Sequence, residues 1–264
     1  MDLSVVIPVC DDIRIKECVE SIDEDVEVLV VLNGATEEVR NIVRSLGVST
    51  CELEEANLGA SLDQGILESS KDNVLLMDSD CRFSESCIEI LYDGLRDHKL
   101  SKGRVEYERN TTLGSCIADL RNYITEGENA FKPPLAMRRS IIDDIGYYFD
   151  RDIHWIEDSE LNNRVRRMKI PICYRSDAVI YHPELTPFVD LRSACRYGIG
   201  KRIAVEKGIM EGVGTFFPEF FDIMHDRGKN VALYSVLWNI AYFSGYAAQA
   251  CFDVYHTRKN IREL

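Results

Sequence analysis

Asp78-Ser79-Asp80 places two carboxylates one residue apart at the end of an apolar run, Val74-Leu75-Leu76-Met77. Such a run after a polar residue reads as a strand buried on both faces, the pattern of a parallel sheet covered by helices. Ligands of such sheets collect beyond the carboxyl ends of the strands. Two hard oxygen donors there, separated by a small serine, suit a divalent cation that keeps open positions for a substrate phosphate. The same residue types also close turns and cap helices. From this stretch alone, a metal site and a plain strand-to-loop junction both stand as readings.

The elements that would hold the pair precede it. Residues 4–9 and 26–32 are apolar strands, and residues 47–51 form a shorter one. Between them, residues 12–22 carry Ile15, Cys18, Val19 and Ile22 at helical spacing, and Thr36 caps a helix with Val39, Ile42, Val43 and Leu46 on one face. Residues 57–69 are helical again. Strand and helix alternating four times is the pattern of a parallel α/β sheet with right-handed crossovers. Beyond Asp80 the regularity fades. Residues 84–95 predict a helix, 101–108 an edge strand, 113–124 a helix and 135–137 an extended piece. Next come a helix over 159–168, two short strands at 171–174 and 178–181, and a basic helix over 188–207.

The chain has 264 residues, a formal net charge of −14 and nine cysteines. The acidic balance excludes a general nucleic-acid binder, whose phosphate contacts need clustered Lys and Arg. An anionic substrate would need a bound cation or a local basic cluster. The cysteines are odd in number, with no C-x-x-C pair and no zinc spacing, which predicts a reduced, cytoplasmic protein. The first residues read as a strand and not as a signal peptide.

Taken in order, Ile7-Pro8-Val9, Val30-Val31-Leu32-Asn33-Gly34-Ala35-Thr36, Asp78-Ser79-Asp80, Glu157-Asp158 and His182 resemble the motifs of the family 2 inverting glycosyltransferases of the GT-A fold. The resemblance covers about residues 3–205 and rests on ordered co-occurrence, because each motif alone is weak. It implies a Rossmann-like, mostly parallel sheet flanked by helices: a nucleotide-sugar half over residues 1–100 and an acceptor half over 101–205. A helical C-terminal extension over 206–264 follows.

The resemblance also implies roles. Pro8, Val9 and Asn33 would line the nucleotide site, with Asn57 and Asp63 as further donor contacts. Asp78 and Ser79 would meet the donor, and Asp80, with Asp78 and His182, would hold Mn2+ or Mg2+. Arg196 and Arg202, in a basic run after His182, would approach the diphosphate. Asp158 would be the general base, with Glu157 orienting it or touching the acceptor, and Trp155 and Tyr148 would stack on acceptor sugars. Leu32 departs from the pattern, since an acidic residue that contacts the base is common there.

The implied partners are a nucleotide-diphosphate sugar and a saccharide, lipid-linked or small-molecule acceptor. Residues 230–252 contain no charged residue. Their polar and small residues make a poor membrane span, so packing is expected, or a peripheral contact with the cytoplasmic membrane face, or self-association. Two rivals stand beside this reading. One is a haloacid-dehalogenase-like phosphatase using Asp78 and Asp80 with Asp143-Asp144; the other is an inactive scaffold of the same fold.

Overall fold

The computed structural model describes residues 1–212 and 217–262. Its contacts divide the chain into two units, Met1–Glu108 with Thr125–Pro183, and Arg109–Ile124 with Glu184–Leu264.

The first unit is built on one eight-stranded sheet. In chain order its strands are β1 (Ser4–Val9), β2 (Glu27–Asn33), β3 (Ser49–Leu53), β4 (Asn73–Leu76), β5 (Arg82–Phe83), β6 (Leu100–Tyr107), β7 (Leu135–Arg138) and β8 (Ile172–His182). Across the sheet the order is β3-β2-β1-β4-β7-β6-β8-β5. The first four neighbours run parallel, β7 is antiparallel to both β4 and β6, β8 is parallel to β6, and β5 is antiparallel to β8. The helices are α1 (Ile15–Glu20), α2 (Glu37–Leu46), α3 (Leu58–Glu68), α4 (Cys87–Gly94), α5 (Thr112–Thr125), α6 (Ile142–Ile145), α7 (Glu157–Arg167), α8 (Pro187–Glu206), α9 (Phe217–Arg227) and α10 (Lys229–Arg262).

Alternate residues of β1 serve opposite layers, as the period of a strand requires. Val5 and Ile7 pack in one core with Ile15, Val39, Ile88 and Leu91, from α1, α2 and α4. Val6 packs in the other with Leu62 and Ile66 of α3 and Leu161 and Val165 of α7. The caps follow the sequence: the Thr36 hydroxyl accepts from the amide of Val39 at 3.3 Å, and Gly47 ends α2 at φ +69°. Such an N-cap contributes about 1 kcal/mol.

Several expectations change in detail. The edge strand expected over residues 101–108 is the interior strand β6, which ends at Tyr107 and lies between β7 and β8. The two short strands at 171–174 and 178–181 are one strand, β8, whose pairing with β6 shifts register between Lys102 and Arg104. Helices α8 and α10 share a unit, and a Cβ at Gly198 would run into the carbonyl oxygen of Tyr242, while one at Gly245 would meet that of Cys195.

The second unit has its own core of Ile117, Leu120, Ile223, Val231, Ala232 and Tyr234. Within it, buried Asp190 accepts from Arg121 Nε at 2.6 Å and from the Tyr234 hydroxyl at 2.7 Å. Leu233, Leu237 and Ile240 of α10 are exposed. Among the described residues, no helix is long and apolar enough to cross a membrane. Residues 213–216 and 263–264 of the expected extension lie outside the described residues.

Candidate active site

Asp78, Ser79 and Asp80 leave β4 at its carboxyl end, where the Met77 amide still donates to Val6 at 3.1 Å. The chain turns and enters β5, only two residues long, whose Arg82 and Phe83 pair with Tyr181 and Ile180 of β8. That pairing brings the last residue of β8, His182, to the turn. Its Nε2 lies 3.4 Å from Asp80 Oδ2. The other ring nitrogen, Nδ1, is 2.7 Å from the carbonyl oxygen of Pro183, which can only accept, so Nδ1 carries the proton in the neutral ring. The Nε2 lone pair then faces a carboxylate, an arrangement that fits a cation between them. Potential ligand atoms of Asp80, Cys81 and His182 all lie within 4.8 Å of one another. Burial and the charges of Asp80 and Asp78 push the Cys81 thiol well above its usual range, and the thiol donates to Asp80 Oδ1 at 3.4 Å. Arg14 stands 3.7 Å from Asp80 Oδ2, held by the Asp12 carboxylate at 2.8 and 2.5 Å.

Beside this group is a second one of buried charges. Lys132 Nζ donates to Asp78 Oδ1 at 3.0 Å and lies 3.5 Å from Glu157 Oε1. Glu157 and Asp158 open α7, whose register is locked by Arg164. That guanidinium pairs with Glu160 at 2.7 Å, reaches the carbonyls of Ile145, Tyr147 and Tyr148, and covers the Tyr147 ring at 3.8 Å. Burial, reinforced by the neighbouring Glu157 charge, pushes the Asp158 carboxyl up to about 7, although Lys132 opposes the shift. A carboxylate so raised can accept a proton near neutrality, which an ordinary aspartate does poorly. Lys102, on β6, is fully enclosed, donates to Pro133 O at 3.0 Å and is lowered by burial to about 7.

A model of the family described as "Glycosyl transferase family 2" matches residues 4–129, just under half of the chain. The match ends just past α5, so the family model speaks for the β1–β6 part of the sheet, and the structural likenesses below speak for the fold. Solved structures of glycosyltransferases share the GT-A fold of this chain. A mannosyltransferase, PcManGT from Pyrobaculum calidifontis, in complex with GDP-Man and Mn2+, superposes with a TM-score of 0.59 at 15% identity, over 100% of this chain and 81% of that one. Glucosyl-3-phosphoglycerate synthase from Mycobacterium tuberculosis, with Mn2+, UDP-glucose and phosphoglyceric acid, gives 0.57 at 20% identity, over 81% and 82%. Residues 1–349 of TarS from S. aureus, with UDP, give 0.54 at 15%, over 76% and 65%. Among curated proteins, none matches the chain in sequence.

Asp80 meets His182, Asp78 and Glu157 share Lys132 with Asp158 next in sequence, and Ser79 sits in the turn between the two aspartates. Trp155 precedes α7 at φ +67° and is exposed. Tyr148 differs from expectation: it is buried among apolar residues, with its hydroxyl donating to Arg139 O at 2.7 Å, so its ring faces the core and not an acceptor. Pro8 and Val9 end β1 buried, paired with Val31 and Leu32. Asn33 Oδ1 accepts from the Asn57 amide at 2.7 Å. Asn57 caps α3 through Ala60 N and donates to Arg151 O, and Asp63 accepts from the Arg151 guanidinium at 2.9 and 2.7 Å. These side chains tie the start of α3 to the loop before α7. Leu32 turns into the core beside Val9 and Val30. Arg196 and Arg202 lie on α8 of the second unit, where Arg202 pairs with Glu206. The β4 pair stands on the fourth strand of the chain, whereas the phosphatase alternative requires the first. Lys132 and Lys102 are absent from the sequence reading. Lysines are seldom buried, and neither position carries a local pattern beyond Lys132 preceding Pro133-Pro134.

Proposed function

We propose that the protein is a glycosyltransferase that moves a sugar from a nucleotide-diphosphate donor to an acceptor hydroxyl with inversion at the sugar carbon, using Mn2+ or Mg2+. The observation that carries this reading is the approach of Asp80 and His182 to 3.4 Å, and it is supported by the carboxyl of Asp158, raised to about 7 among Glu157, Lys132 and Asp78. Asp80 and His182 would hold the cation, and the ion would supply charge compensation where the leaving diphosphate becomes more negative.

Asp78 meets the donor from the other side of the turn. Asp158 accepts the proton of the acceptor hydroxyl as that oxygen attacks from the face opposite the leaving group. Its placement in the first turn of α7 fixes the direction of the carboxylate, and Glu157 beside it sustains the raised pKa. Trp155 offers an exposed ring on which an acceptor sugar can stack. Pro8, Val9 and Asn33 support the nucleotide end. The donors in related structures, GDP-Man with Mn2+ and UDP-glucose with Mn2+, support a nucleotide sugar and a divalent ion.

The test is release of nucleoside diphosphate from a panel of nucleotide sugars, with Mn2+ and candidate acceptors. Acceptor-dependent release that needs the metal supports the reading. Hydrolysis of p-nitrophenyl phosphate without any sugar nucleotide would replace it with the phosphatase, and tight donor binding without turnover would replace it with the scaffold.

A further inference from the structure

Lys132 is more deeply enclosed than a surface ion pair requires: its side chain is 5% exposed, and that of Glu157 4%. Its loop is held from two directions. The Ala130 amide donates to Asn162 Oδ1 on α7 at 2.9 Å, and Lys102 on β6 donates to Pro133 O at 3.0 Å. With the loop held, the ammonium lies between Asp78 Oδ1 at 3.0 Å and Glu157 Oε1 at 3.5 Å. Glu157 Oε2 is buried without a hydrogen-bond partner, so the lysine is the main compensation this carboxylate has. Asp78 is about one-third exposed and stands two residues before Asp80.

We propose that Lys132 is a positioning residue that couples the donor half of the site to the catalytic half, through one ammonium shared by Asp78 and Glu157. This rests on the reading above, in which Asp78 meets the donor and Glu157 flanks the base. A single buried cation serves both carboxylates, so a change at one alters the share left for the other. Donor engagement of Asp78 shifts the ammonium toward Glu157, and with it the charge beside Asp158. By reciprocity, loss of the Glu157 charge commits Lys132 to Asp78 and weakens donor binding.

Calorimetry with UDP and GDP plus Mn2+ tests the coupling. Glu157→Gln is expected to weaken nucleotide binding by ~5-fold or more in the native background and by less than ~2-fold in a Lys132→Met background, the span typical of coupled sites. Equal weakening in both backgrounds, or none in the first, would overturn the proposal. Melting temperature gives a second arm that needs neither nucleotide nor a Lys132 variant. Asp78→Asn and Glu157→Gln each leave the lysine one partner, whereas the double variant leaves neither. The double should melt ~2 °C or more below the sum of the single shifts, and additive shifts would overturn the proposal. Absence of nucleotide binding in every protein would count against the glycosyltransferase reading, and the melting arm would still decide the role of Lys132.

Discussion

His182 Nε2 lies 3.4 Å from Asp80 Oδ2, although one residue ends β8 and the other follows β4. The hydrogen-bonded Nδ1 leaves Nε2 as a free donor atom, so this pair is suited to share a cation. Removing either side chain should abolish stabilisation by Mn2+ with a nucleoside diphosphate. At a ligand concentration ~100-fold above Kd, the native protein should gain about 2.7 kcal/mol. Thermal shift of Asp80→Ala and His182→Ala with Mn2+ alone, nucleotide alone and both together checks this. An undiminished joint shift in both variants would remove the metal assignment.

Asp158→Asn keeps the size of the side chain and removes its capacity to accept a proton. Turnover should fall by roughly 10²–10⁴-fold, the usual contribution of a general base, while nucleotide affinity stays within a few-fold. Steady-state kinetics and calorimetry on the same preparation separate the two quantities. Because the carboxyl sits at about 7, kcat of the native protein should rise with pH through that region and then level.

The same shift has a stability consequence. A carboxyl raised in the fold binds more protons there than in the unfolded chain between its ordinary value, about 3.9, and about 7, so stability falls as pH rises across that window. Lys102 behaves oppositely. Lowered to about 7, it binds fewer protons in the fold up to its ordinary value near 10.4, so its contribution improves as pH rises from about 7. Melting curves should show Asp158→Asn more stable than the native protein at pH 8 and equal to it below pH 4. Lys102→Met should remove the gain on the alkaline side.

Asp190 anchors the second unit. It is 1% exposed and receives Arg121 and the Tyr234 hydroxyl. Asp190→Ala leaves a guanidinium only 11% exposed without its carboxylate, a loss of about 3–5 kcal/mol. Chemical denaturation should record it. Tyr234→Phe removes one hydrogen bond and should cost about 1–2 kcal/mol.

The first four strands and the helices between them were legible because each carries its own signal: an apolar run, a 3.6-residue period or a cap such as Thr36. What failed were features set by distant pairing. β5 has two residues and no period to detect, yet it is the strand that carries Asp80 to His182. β8 contains Arg175-Ser176-Asp177, a polar break that reads locally as a loop and is spanned by strand pairing and a register shift. Lys102 and Lys132 look like surface residues in the sequence, because a buried ammonium is recognisable only when its carboxylates are seen around it. Tyr148 shows the reverse: next to Tyr147 and near Trp155 it suggests a binding surface, and the core takes it.

Metal-dependent donor binding through Asp80 is decided by calorimetric titration of a nucleoside diphosphate panel, with and without Mn2+, into the native protein and Asp80→Ala. At least one nucleotide should bind the native protein with Mn2+, chelating the metal should weaken it by an order of magnitude or more (about 1.4 kcal/mol per tenfold), and Asp80→Ala should abolish the metal-dependent part. Binding indifferent to Mn2+ and to Asp80, or no binding by any nucleotide, would contradict it.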